Sequence, residues 1–151
     1  MKSKSHSSRG FTLIELLVVI AIIGVLSSVV LASLNTARFK GDNAAVQLNM
    51  GGIQKQAALY FNENNNYGTN PLLESSCAAT DNVFNDATVK NQIAGILKVN
   101  NGGSIVCNVA AGGMAYAVSA ALISTPATYF CVDSAGMGTT TTTALGSGTN
   151  C

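Results

Sequence analysis

The sequence predicts an α+β fold in which one long N-terminal helix lies on a small antiparallel sheet. Three observations predict it. Residues 11–34 form an apolar run whose only charge is Glu15. Helical spacing of apolar residues then continues to Phe61, now confined to one stripe. Beyond residue 103, three short runs suited to strands are separated by glycine-bearing turns. A helix on a sheet buries one face of each, which is the minimum two-layer core.

The 151 residues suit one domain with a modest core. Lys and Arg total 8, Asp and Glu total 7, and the net charge is +1. Charged residues make up 10% of the chain, against about 25% in an ordinary soluble domain. Gly (15), Asn (15) and Thr (13) take their place. That composition excludes a basic nucleic-acid-binding domain, an acidic disordered chain and a charge-rich coiled coil. It fits an extracellular or surface polypeptide.

The charge is unevenly placed. Residues 1–10 carry Lys2, Lys4 and Arg9 and no acid; the other residues carry 5 basic and 7 acidic groups, or 5 − 7 = −2. A basic leader therefore precedes a mildly acidic body. The apolar run that follows, Phe11 to Leu34, would span about 36 Å as a helix at 1.5 Å per residue, enough for a bilayer core of about 30 Å. It is longer than the hydrophobic region of a secretory signal peptide, typically about 7–15 residues. A permanent single-pass anchor with the leader held inside by its positive charge is the other simple reading.

Glu15 fits neither reading. A carboxylate costs about 2.5–3.5 kcal/mol at mid-membrane on insertion scales, and less near a helix end. No cation lies near it on the same helix face. Cutting the chain between Gly10 and Phe11 would create one, the new α-amino group. That amine is too rigidly placed to serve its own Glu15 well, whereas a neighbouring chain's amine can approach. A buried charge would then set the register of an assembly.

Arg9-Gly10-Phe11-Thr12-Leu13-Ile14-Glu15-Leu16, followed by the apolar run, resembles the N-terminal motif of type IV pilins and type II secretion pseudopilins. The resemblance is strong over residues 1–34 and general over 35–67. It implies a pilin-like fold and a membrane prepilin peptidase that cuts after Gly10 and methylates the amine of Phe11. Gly10 gives that protease an unhindered, flexible peptide. The resemblance further implies that Glu15 neutralises the amine of an adjacent subunit, and that Gly24 lies where family helices often loosen inside a filament. Many relatives also carry a proline in that run; this chain has none. A small-residue membrane contact is the competing role for Gly24.

The element order follows. Residues 1–10 are a removable leader, 11–34 a transmembrane and assembly helix, 35–62 its amphipathic continuation, and 63–151 a disulfide-bonded head with a flexible Thr/Gly-rich tail. Val46, Met50, Ile53, Ala57 and Tyr60 mark the core stripe of the continuation. Gly51 and Gly52 weaken it by about 1 kcal/mol each relative to alanine and mark a bend or a close contact. The Asn-rich segment 62–68 ends the helix. Asp86 caps a short helix running to Lys98, with Val89, Ile93, Ile96 and Leu97 on one face. Ser104–Val109, Met114–Leu122 and Thr128–Asp133 are the strands, the first two joined as a hairpin. Thr139–Thr143 and the glycines after it read as solvated chain or as an O-glycosylated patch.

Cys77, Cys107, Cys131 and Cys151 form no Cys-x-x-Cys, so zinc or redox chemistry is not indicated. Two disulfides made outside the cytoplasm are the natural reading, and four cysteines allow three pairings. Cys77–Cys107 with Cys131–Cys151 is favoured, being sequential and pinning the tail. The single histidine, His6, would leave with the leader, so no Ser-His-Asp or Cys-His set remains. The acids Asp81, Asp86 and Asp133 are scattered, and no phosphate-binding glycine loop appears. No enzyme and no cofactor is expected.

The chain reads as a structural subunit of a type IV pilus filament, with identical subunits as partners. It would be a precursor in the cytoplasmic membrane, then part of an extracellular filament. Prepilin peptidase and an assembly machinery with a separate ATPase would act on it. The alternatives are a type II secretion pseudopilin, for which Asp133 is a thin calcium candidate, and a minor tip subunit for adhesion or DNA capture. Five Lys and Arg in the mature chain argue against broad DNA-backbone affinity, and no specific nucleic acid is expected.

Overall fold

A computed structural model describes residues 10–69, 72–75, 77–78, 80–123 and 127–151. Residues 1–9 of the expected leader, with His6 among them, lie outside the described residues. The chain divides into two compact units, Met1–Arg38 and Phe39–Cys151.

Helix α1 runs Leu13–Asn64. In the first unit its apolar side chains are exposed throughout, from Phe11 at 78% and Leu13 at 87% to Leu34 at 61%. The helix is continuous through Gly24. In the second unit the pattern changes to an amphipathic one. Val46, Met50, Ile53 and Ala57 are fully buried, whereas Leu48 and Leu59 face outwards. The helix stops where Asn65 turns left-handed at φ +56 and its N–H donates to the Phe61 carbonyl at 2.7 Å. Asparagine tolerates that conformation better than most residues.

Five antiparallel strands follow the helix: β1 (Leu72–Ser75), β2 (Ile105–Val109), β3 (Tyr116–Ala121), β4 (Tyr129–Asp133) and β5 (Gly138–Thr141). They are ordered β1-β2-β3-β4-β5, a meander with β1 and β5 at the edges. The three central strands lie within the expected runs. Both edge strands were illegible in sequence: β1 is a four-residue strand with an irregular register, and β5 falls in the threonine run expected to be solvated. Threonine is β-branched and suits a strand once a partner edge exists.

Between β1 and β2 lie a single 3₁₀ turn, Val83–Asn85, and helix α2, Ala87–Val99. Asp86 caps α2, its Oδ1 accepting from the N–H groups of Thr88 (2.8 Å) and Val89 (3.1 Å). Val89, Ile93 and Ile96 point into the core. Pairing Ile105 with Ala120, Cys107 with Val118 and Val109 with Tyr116 puts these six on the core face, joined by Phe130 and Val132 of β4. The α1 stripe, Phe84 and α2 complete the cluster.

The opposite face of the sheet is also buried. Asn108, Ala117, Ser119, Cys131 and Asp133 alternate with the core-facing residues and are each no more than 2% exposed. The chain end, residues 142–151, runs over this face, tied to it by Asn108, Asp133 and Cys131.

Candidate assembly site

The first unit holds the processing and assembly residues named from the sequence. Gly10 and Phe11 precede the first turn of α1 and are exposed. Thr12 stands at the N-cap position, its carbonyl accepting from Leu16 N–H at 3.3 Å. Glu15 folds back on it. Glu15 Oε2 accepts from the Thr12 N–H at 2.9 Å and from the Thr12 Oγ1 hydroxyl at 2.8 Å, while the Glu15 N–H donates to Thr12 Oγ1 at 3.3 Å. This is a capping box, in which the two residues satisfy each other's otherwise unpaired groups. The helix N-terminus carries partial positive charge and favours an anion there. Glu15 Oε1 accepts no hydrogen bond among the described residues, which leaves it available to a cation from outside.

Sequence reasoning looked for a cation beside Glu15 and missed Thr12. The signal was present: Thr-x-x-Glu ahead of an apolar run is a helix-start signature. At Gly24 an added Cβ would meet nothing within 4 Å, so the fold of the single chain places no demand on that glycine.

The second unit positions the remaining candidates. Cys77 is joined to Cys107 with Cα atoms 5.0 Å apart, and Cys131 to Cys151 at 5.8 Å. The first bridge lies in the core cluster. The second ties the chain end to β4. Asp133 reinforces it: Oδ1 accepts from the N–H groups of Ala135 (3.0 Å) and Met137 (3.1 Å), and Oδ2 from that of Cys151 (2.9 Å). Both carboxylate oxygens thus face backbone donors. Asn108 Nδ2 donates to the carbonyls of Gly146 and Gly148, each at 2.6 Å. Among the described residues, no group of three or more His, Cys, Asp or Glu could hold a metal ion.

Several of the fifteen asparagines that composition left unexplained serve as polar clamps. Asn43 of α1 donates to the Ile123 carbonyl (3.1 Å) and accepts its N–H (2.7 Å), fixing the chain after β3 to the helix. Asn100 reaches the Ala121 carbonyl at 3.3 Å. Buried aromatic rings stack around Tyr116, with Tyr67 at 4.7 Å and Phe84 at 6.2 Å between centroids. Burial pushes the Tyr116 phenol well above its ordinary value, and the neighbouring Tyr67 and Asp133 charges push it further; burial also raises Tyr67.

Comparison with known proteins concentrates on the N-terminal region. The family model described as the prokaryotic N-terminal methylation motif matches residues 5–31. The type IV wide pilus major component PilA4 of Thermus thermophilus is 39% identical over 65 residues, covering 43% of this chain and 50% of that protein. The type II secretion system core protein G of Klebsiella michiganensis is 35% identical over 66 residues, covering 44% of this chain and 46% of that one. The chain spans about half the length of these curated relatives. No solved structure matches it. The N-terminal region thus carries the prokaryotic N-terminal methylation motif, followed by an exposed apolar helix, and over that region the chain is similar to a type IV pilin and to a type II secretion core protein.

Proposed function

We propose that the chain is a structural subunit of a type IV pilus filament, matured by cleavage after Gly10 and methylation of Phe11. One observation carries this reading. The apolar half of α1 is exposed along its whole length, and Glu15, its only charged residue, sits in a self-contained cap at its tip. The exposed half can lie in a membrane before assembly. Extraction would exchange lipid contacts for packing against other subunits. A contact between unlike surfaces, repeated along an axis without closing, builds an open fibre. Thr12 holds one Glu15 oxygen and leaves the other to the methylated amine of an adjacent subunit. The charge is tolerated in the waiting subunit because its cap is internal, and it gains a partner only on assembly.

A short secretion pseudofilament is the second reading, favoured by the likeness to core protein G. The distinction rests on where the fibre ends up. Sheared cell-surface fractions containing the chain in long fibres support the pilus; the chain confined to the periplasm supports the pseudopilin.

The assembly step has its own test. Glu15→Ala yields a trimmed, membrane-held chain with fibre yield reduced at least tenfold. Normal fibres from that variant would remove Glu15 from assembly. Gly10→Val leaves the leader attached, seen as an intact mass that includes residues 1–10; a correctly trimmed product would mean that a different protease acts.

A further inference from the structure

We infer that the free edge of β5 is a self-association surface that pairs with the same edge of a second copy and joins fibres side by side. β5 is the last strand of the sheet and hydrogen-bonds only to β4. Apart from that ladder, no hydrogen bond reaches Gly138, Thr139 or Thr140 among the described residues. Gly138 and Thr140 are exposed. Their outward backbone groups form a template for another strand.

Proteins ordinarily blunt such an edge with charge, proline or a bulge. This one has none of these. Residues 134–151 contain no charged side chain and no proline, and the register of β5 on β4 is regular. Shortness alone, at four residues, limits the pairing.

The occupant follows from symmetry and composition. A two-fold axis perpendicular to the sheet keeps each face on its own side, so only residues of like face can meet. Thr140, on the core-facing side with Phe130, meets the Thr140 of the partner copy. Thr139, on the face of Cys131, meets Thr141. Like threonines opposite one another are a favourable cross-strand pair. The run Thr139–Thr143 lets the register slip by two residues and still oppose threonine to threonine. The edge is neutral, so two copies approach without repulsion. A charged or strongly apolar partner would find nothing complementary. Such pairing is isologous and closes at two. It is weak for single molecules and becomes strong when repeated along two fibres.

The pairing is tested on the full-length chain with two readouts. The first is Thr140→Cys in detergent solution under mild oxidation, with exposed Asn91→Cys on α2 as the collision control. Directly opposed antiparallel residues have Cα atoms about 4.5–5.5 Å apart, within the range a disulfide spans. Peptide mapping selects product in which Cys77–Cys107 and Cys131–Cys151 are intact. The expected result is covalent dimer at least fivefold above the control; a yield equal to the control overturns the proposal. The second is fibre bundling by Thr140→Lys/Thr142→Lys, scored by low-speed sedimentation. Fibres of that variant stay dispersed at low salt and bundle again in about 1 M salt, where charge is screened within about 3 Å. Bundling identical to the parent chain at low salt overturns the proposal. Dimer formation by a chain that makes no fibres supports the edge pairing and removes the filament reading instead.

Discussion

Asp133 is a buried carboxylate whose oxygens face three backbone N–H groups. A carboxamide at this position keeps one acceptor and turns a donor toward the other amides. Asp133→Asn is therefore expected to cost about 1–3 kcal/mol, the penalty for leaving buried donors unpaired, and urea titration measures it. Tyr116 gives a pH signature. Its folded pKa is raised, so the folded chain keeps a proton that the unfolded chain loses. Its contribution is fully present below the unfolded value of about 10 and declines as pH rises through the window above it. Stability compared at pH 8 and pH 11 should fall, and Tyr116→Phe should flatten part of that fall. Thr12→Val removes one side of the capping box and should cost about 1 kcal/mol at the helix start, whereas Thr12→Ser retains it; amide exchange in the first turn reports the difference. In sequence Thr12 stood only as part of the N-terminal motif, Tyr116 only as a strand residue and Asp133 as a thin calcium candidate, because a lone acid does not reveal which backbone amides will surround it.

At the level of elements, the two adjacent glycines of α1 have opposite meanings. An added Cβ at Gly51 meets nothing within 4 Å, while at Gly52 it runs into the Gln92 amide of α2. Gly51→Ala is expected to stabilise the unit by about 1 kcal/mol. Gly52→Ala should gain less, because the Gln92 amide must move aside; paired denaturation curves separate the two. The sequence showed both glycines as weak points and could not say which faced α2, since helix–helix contact depends on where the intervening loops bring α2. α1 was legible from its stripe, α2 from its Asp86 cap, and the three central strands from strand-suited runs set between glycine-bearing turns. β1 and β5 were not, because four-residue edge strands carry too few residues for a pattern and owe their existence to the strand beside them. Gly113, at φ +70 with its Cβ direction blocked by the Gly68 carbonyl oxygen, shows the same dependence on distant chain.

For the whole molecule, the sequence divides labour between a helix that is apolar on every side and a sheet covered on both faces. The first cannot be satisfied within one chain; the second is. Among the three pairings open to four cysteines, the structure holds the sequential one, and each bridge fastens a different face of the sheet. Removing Cys131–Cys151, which closes a separation of 20 residues, should cost about 3 kcal/mol in the chain-entropy model, read as a lowered unfolding midpoint for Cys131→Ala/Cys151→Ala. The N-terminal motif was readable because it is one contiguous run of residues. The tethering of the chain end to β4 through Cys131–Cys151 was legible as well; the course of residues 142–151 over the sheet face and the open β5 edge were not, because they exist only once the sheet has formed. The central claim, that the exposed helix serves a fibre after the leader is removed, meets its most direct test in the intact mass and N-terminal sequence of the chain recovered from sheared surface fibres. A chain that begins at methylated Phe11 is the predicted result. A chain that begins at Met1 and is found solely in membranes would contradict it.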